Sequence, residues 1–539
     1  MNSATTPGPR AGRAATLVLA CLGVFVAYLP VTTVSVSLPA IQRALGASTS
    51  ELSWVSDAFV LPMAALILTT GVWGDVHGRR RVFLAGLVCC GLGAAVSLLS
   101  GSVQLLWAGQ AVSGVGAAAL LPTTLALISH AVPDHRERGR FIGFWAMSLT
   151  APLAVGPLVA GVLLEHTSWR WIFLLPIPVT AALFAVAAAR LPDSRAPHGR
   201  RLDPPGQLTA ALAVTALVYG VIEGGADGFG EPAVLGALAL GTAAAVAFVL
   251  VERRSSAPML DPALFRSPAF TATALVALVS FLGLIGFFFV LSLYFGLVQH
   301  LSTLDAALRL VLVSGTSLLA GLPVGRLVHR VSPRLLITSG LLLTAAALLS
   351  MTGLDAHTSY PALAWRLVLL GLGMGLVLTP MTATAVSAVP FHLAGTAAAG
   401  NNAIRQVGAA LGPAVLGALL TTRALHALPG RLADAGVPAG TGAQVLDTAR
   451  AHGLGAVAGL DLGPATGRVL GALGDSFLDG MRLCLLVSAA LALLAALASA
   501  LLLRRPSAAG RDTTGPDTAG RNAAGPRLRA VDGAERVAP

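Results

Sequence analysis

Fourteen times along this chain an apolar run of about 20 residues returns, the length one helix needs to cross the hydrocarbon of a bilayer. No water reaches that layer, so a spanning segment must satisfy its backbone hydrogen bonds internally, which leaves helices as the solution for runs of this length. The runs lie near residues 15–38, 53–73, 82–100, 104–130, 140–163, 170–189, 207–225, 232–251, 270–297, 303–325, 334–354, 362–388, 397–422 and 479–503. The expectation is an all-α membrane protein with 14 transmembrane helices. Only 11% of the residues are charged, against about 25% in a soluble chain.

Charge sets the orientation. Every basic residue is arginine. With the N-terminus cytoplasmic, 18 arginines fall in inner segments and 7 more in the C-terminal tail, against 7 in outer segments and 3 within spans. Short inner loops rich in arginine mark the cytoplasmic side. A multi-pass protein of the cell (inner) membrane with both termini cytoplasmic is therefore expected. Arg10 and Arg13 precede an apolar run too long for a cleavable signal, which reads as a first span. Residues 504–539 read as a disordered tail, and residues 423–478 as a long outer loop carrying a small amphipathic hairpin.

The chain also repeats. Gly71-x3-Asp75-x2-Gly78-x-Arg80 has an echo in Gly325-x3-His329-x2-Ser332-x-Arg334. "GPLVAG" from Gly156 returns as "GPAVLG" from Gly412, and "GVGAAALLPTT" from Gly114 is echoed by "GMGLVLTPMT" from Gly373. The offsets are nearly constant and span eight helices, an even number, so the copies are parallel. This predicts two parallel six-helix halves plus an inserted helix pair. The expected boundaries are an N-tail at 1–14, an N-terminal half at 15–189, a linker with inserted helices 7 and 8 at 190–267, a C-terminal half at 268–503, and the tail.

On these residues the chain resembles the major facilitator superfamily, specifically its fourteen-helix drug:proton antiporter branch (EmrB/QacA type). The turn between helices 2 and 3 matches at Gly71, Asp75, Gly78, Arg79 and Arg80, and the fifth-helix antiporter motif at Gly156, Pro157 and Gly161, followed by "WRWIF" from Trp169. "SLPAI", "LSWVSDAFVL" and "RQVGAALG" fit as well. The resemblance implies that Asp75 and the arginines latch the two halves on the cytoplasmic side, close to the start of helix 13 near Gly395–Thr396, where a helix N-terminus favours a carboxylate. The other reading is that the arginines only anchor topology. The glycines of helix 5 allow close helix approach, and the resemblance implies a dry seam there; Gly156 is expected at the half–half contact.

Two positions depart from the branch. Where its first helix usually carries an acid this chain has Pro30, and where its fourth helix usually carries an arginine it has Gln110. An ionisable side chain within a span is a functional hypothesis by default. Asp57 is the carboxylate inside a span of the transport halves, and Glu223 lies at the outer end of helix 7; these are the proton-coupling candidates. Asp305 and Asp479 read as helix-boundary residues. Arg405 is deep enough to need a partner, either facing a cavity with Asn401, Asn402 and Gln406 or snorkelling to the cytoplasm. With Gln110 these residues are the cavity candidates.

Enzyme readings lack parts: no H-E-x-x-H, no Cys/His ligand cluster and no phosphate-cradling loop after a strand. No metal and no cofactor is expected. The net charge of +11 belongs to loops and tail, not to a nucleic-acid surface. The resemblance implies secondary active efflux of an antibiotic-like drug or secondary metabolite, with protons and the lipid bilayer as the other partners. An uncoupled carrier and a non-transporting membrane sensor are the alternatives.

Overall fold

The computed structural model describes residues 9–132, 135–195, 202–256, 258–327, 330–389, 394–460 and 462–503. Among them every long element is a helix: α1 (Pro9–Leu45), α2 (Thr49–His77), α3 (Arg79–Leu98), α4 (Val103–Ala131), α5 (His135–His166), α6 (Pro176–Arg190), α7 (Pro204–Ala226), α8 (Pro232–Arg254), α9 (Pro268–Leu293), α10 (Thr303–Leu327), α11 (Pro333–Ser350), α12 (Tyr360–Ser387), α13 (Ala394–Asp434), α14 (Ala439–His452) and α15 (Thr466–Leu502). Thirteen helices among the described residues are long and apolar enough to cross a membrane, and α5 contributes a shorter apolar stretch, Ala151–His166. The expected tail, 504–539, lies outside the described residues.

Local chemistry explains the boundaries. Ser48 and Glu51 form a reciprocal capping box at the start of α2, which satisfies two backbone donors that would otherwise be orphaned. Ser267–Pro268 and Ser332–Pro333 place a capping hydroxyl ahead of a proline that needs no N–H partner in the first turn. The α2–α3 turn passes through Gly78 at φ 111°, a left-handed backbone that glycine adopts without a Cβ penalty.

The helices pack in two groups with one pattern. In the first, α1 lies on α5 and α6, α2 on α4, and α3 on α4 and α6; in the second, α9 lies on α13 and α15, α10 on α12, and α11 on α12 and α15. The groups meet through α2–α13, α5–α10 and α1–α9. Helix α7 sits against both α2 and α13, and α8 packs on α7. In α9, 83% of the apolar window is buried, whereas in α8 the figure is 17%; α8 spends its apolar surface on the surroundings and α9 on the protein.

The segment 423–478, expected as a long loop carrying a small amphipathic hairpin, is largely helical. Helix α13 runs on to Asp434, α15 starts at Thr466, and α14 lies between them. Ala424, Leu428 and Leu432 meet Val445, Ala449, Val469 and Ala472 in an apolar core of their own. The helical spacing of those residues carries the structure, while the interleaved arginines and glycines lower the average hydropathy. Asp479, expected at a boundary, lies well inside α15 and pairs with Arg431 (2.8 Å) and Arg482 (3.4 Å).

Candidate functional site

At the bundle end carrying Gly78, the turn motif is tied together. Asp75 accepts from Arg79 Nε (3.1 Å) and Nη2 (2.9 Å), and Arg79 Nη1 donates to the Ala126 carbonyl of α4 (3.3 Å). Arg80 donates to the carbonyl of Ala188 in α6. Beyond α6, Ser194 takes the Arg79 backbone N–H (3.0 Å), and the Asp193 carboxylate sits so close to Gly78 that a Cβ there would lie 2.7 Å from Oδ1. Gly71 lies against Pro122 of α4. These bonds staple α2, α3, α4 and α6 to one another. They do not involve α13, whose preceding residues 390–393 lie outside the described set.

The opposite end, carrying Ser48, is tightly packed between the two groups. A Cβ at Gly161 of α5 would lie 2.8 Å from Ala307 Cβ and 3.0 Å from Leu304 Cα of α10. One at Gly296 would lie 2.6 Å from Pro39 of α1, and one at Gly417 of α13 would lie 2.8 Å from Ser53 Oγ of α2. Gly156 behaves differently from the expectation. It faces α1, where a Cβ would collide with Thr32 Oγ1, and that hydroxyl donates to the Pro152 carbonyl (2.9 Å). Five residues advance a helix by about 500°, so Gly156 and Gly161 look in different directions, and Gly161 is the one at the contact between groups. Pro157 is buried beside them.

Asp57 is fully buried, and neither carboxylate oxygen has a hydrogen-bond partner. It stands one turn beyond Ser53 on α2, on the side of that helix that Ser53 turns toward α13. Further along the same seam, Gln406 Nε2 donates to Met63 Sδ (3.1 Å). Glu223 lies instead beside α2 near the Ser48 end, accepting from Trp54 Nε1 (2.9 Å); Trp54 is flanked by Trp107 and Tyr219, with ring centroids at 6.2 and 6.0 Å.

Arg405 joins three helices. Its guanidinium donates to Asn402 and to Tyr28 Oη of α1 (3.3 Å) and lies 4.7 Å from the Phe281 ring centroid of α9; its Nε is buried without a partner. Asn402 and Arg405 thus come together. Asn401 donates to the Thr273 carbonyl (3.4 Å), and Gln406 turns to α2. Gln110 is only 1% exposed and donates to Ser97 of α3 (3.5 Å), which puts it between α3 and α4 and away from Arg405. Tyr28 and Phe281 were not singled out by sequence. Tyr28 is one of only four tyrosines, and a tyrosine in the middle of an apolar span was the available signal.

A sequence model described as the Major Facilitator Superfamily matches residues 20–413. The chain belongs to the major facilitator superfamily. Among curated members it is 33% identical over 488 residues to a tetracenomycin C resistance and export protein of Streptomyces glaucescens, covering 89% of this chain and 90% of the relative. It is 37% identical to a puromycin resistance protein of Streptomyces alboniger (82% and 88% covered), and 33% identical to the multidrug efflux pump LfrA of Mycolicibacterium smegmatis (83% and 92%). In fold it is similar to a bacterial homologue of the human lysosomal transporter Spinster, at a TM-score of 0.64 and 17% identity, over 94% of this chain and all of that one. This superfamily member is accordingly a multi-pass membrane protein.

Proposed function

We propose that the protein is an exporter of antibiotic-like amphipathic compounds that works by alternating access and is driven by protons. The names of its relatives support the substrate class, since they are resistance and export proteins. The reading includes fourteen spans, with α5 as the fourteenth; two parallel halves, α1–α6 and α9–α13 with α15; and α7–α8 as the inserted pair. The recurring packing pattern supports this division, and the arginine bias supports a cytoplasmic Gly78 end. Arg405, Asn402, Tyr28 and Phe281 then line the inner cavity between the halves, and the stapled Asp75–Arg79 turn is the moving latch piece on the cytoplasmic side.

The observation that carries proton coupling is Asp57. An ionised carboxylate with no partner is costly in a closed helix seam, so the α2–α13 seam closes over Asp57 when the side chain carries a proton. Opening the outer side wets the seam and lets the proton in; release follows as the halves rock and water reaches it from the cytoplasm. The measurement is substrate uptake by everted membrane vesicles under an imposed pH gradient. Asp57→Asn abolishes uphill uptake while leaving downhill exchange. Undiminished uphill uptake by that variant removes Asp57 from the mechanism. Pro30 and Gln110, at positions the branch reserves for charged residues, favour a second reading, an uncoupled carrier; collapse of the pH gradient then leaves the parent protein's transport unchanged.

A further inference from the structure

Above the outer end of the bundle, α13 and α15 continue past their spans and hold α14 and a following 3-10 turn, Leu454–Gly459. This cap is built as a unit. It has its own apolar core, an ion pair between its two pillars, Arg431–Asp479 at 2.8 Å, and a bond from Arg468 Nη1 to the Gly436 carbonyl at 2.7 Å. It belongs to the C-terminal half by sequence, yet it reaches the N-terminal half. Gly453, at φ +81°, ends α14 in a left-handed backbone, and a Cβ there would lie 3.2 Å from Ser48 Cα and Thr49 N. The turn then brings Gly455 down on the end of α1, where a Cβ would lie 2.6 Å from Gln42 Cδ. The surface it meets is rigid, because Ser48 and Glu51 are locked in the capping box of α2.

Gln42 is the telling residue. It is 5% exposed, and neither its amide nitrogen nor its amide oxygen has a hydrogen-bond partner. A buried amide without partners opposes the contact that buries it, and regains its hydrogen bonds once water reaches it. The contact is thus made with a built-in opposing term.

We propose that the segment Ala439–Gly459 is an outer clasp, which holds the two halves together over the α1–α2 turn in the outer-closed state, and that the unpaired Gln42 amide keeps it ready to lift. The proposal rests on the alternating-access reading above and adds a second contact between halves, outside the spans, that must break whenever the outer side opens. Ser53, 2% exposed under Gly417, reports that opening without any transport being measured.

The experiment uses full-length protein purified in detergent, with Cys21, Cys89, Cys90 and Cys484 replaced by alanine and Ser53→Cys as the probe; the rate of maleimide labelling at position 53 is read. Gln42→Leu removes the opposing term and slows labelling about fivefold. Gly455→Leu wedges the clasp off α1 and speeds labelling by at least a similar factor. The two changes act in opposite directions, so general unfolding cannot produce both. Equal labelling rates in the parent and both variants overturn the clasp. Labelling that shifts as stated in a protein that exports no drug upholds the clasp and sinks the export reading instead.

Discussion

Two glycines five residues apart on α5 should respond to enlargement in different ways, because one faces α1 in its own helix group and the other faces α10 in the second group. At Gly156 a side chain meets Thr32 Oγ1, which is held by its bond to the Pro152 carbonyl. Losing that bond costs about 1 kcal/mol, and overpacking adds about 1–3 kcal/mol. Both terms fall on every conformation in which α1 and α5 pack, so Gly156→Leu lowers thermal stability. At Gly161 a side chain meets Leu304 Cα and Ala307 Cβ across the seam, at 3.0 and 2.8 Å. There the overpacking of about 1–3 kcal/mol falls only on the conformation in which α5 and α10 are packed at the Ser48 end, and separation of the two helices relieves it. Gly161→Leu therefore shifts the closed-to-open equilibrium by about 5- to 150-fold with little change in unfolding temperature. The assay pairs thermal unfolding in detergent with maleimide labelling of Ser53→Cys. A Gly161→Leu protein that unfolds as early as Gly156→Leu and labels at the parent rate refutes the assignment of Gly161 to the seam between halves.

Other substitutions separate the remaining roles. Asp75→Asn keeps shape but removes the charge that holds Arg79, and should cut the export rate several-fold with normal membrane insertion; equal rates in mutant and parent vesicles count against the latch. Arg405→Gln leaves Tyr28 and Asn402 without their shared donor and should weaken substrate binding, measured by dye fluorescence, by at least about tenfold, the scale of one lost hydrogen bond to a charged group. Unaltered binding would place the cavity elsewhere. Glu223→Gln retains an oxygen for Trp54 Nε1 and should leave pH-gradient-driven uptake intact, in contrast to Asp57→Asn; loss of uptake in the Gln variant would move the proton site to Glu223.

Much of the fold was legible because spanning a membrane is a one-dimensional constraint: length and hydropathy locate a helix without knowledge of its neighbours. The turn motif was legible for a related reason, since Gly78, Asp75 and Arg79 interact within a few residues. What stayed hidden depends on rotation about a helix axis. Gly156 and Gly161 belong to one motif and face different partners. Asn401 and Asn402 are adjacent, yet one bonds the Thr273 carbonyl and the other Arg405. From Ala151 to Leu164 every residue of α5 is apolar or glycine, so no apolar stripe reveals which face of that helix meets protein. The amphipathic hairpin at 423–478 was legible in its helical spacing, whereas the run of α13 on to Asp434 and the early start of α15 at Thr466 were not, because the arginines and glycines there lower the hydropathy that marks a span.

The position of Asp57 ties these threads to one seam. Ser53 meets Gly417 and Met63 meets Gln406, so residue numbers rise along α2 as they fall along α13, and the helices run antiparallel through the contact. Four residues past Ser53 advance about 6 Å along the axis, which sets Asp57 between the two contacts. Arg405, the neighbour of Gln406 in sequence, turns away from this seam to Tyr28 and Phe281. The same stretch of α13 therefore offers one side chain to α2, in the seam that holds Asp57, and the next to Tyr28 and Phe281, where the proposed cavity lies. A change in protonation that loosens the α2–α13 contact must move both faces of α13 together, because a helix rotates and shifts as a unit. The proposed coupling between proton and substrate then requires no chain of charged residues between Asp57 and Arg405, so Pro30 and Gln110 at the customary charged positions are compatible with it.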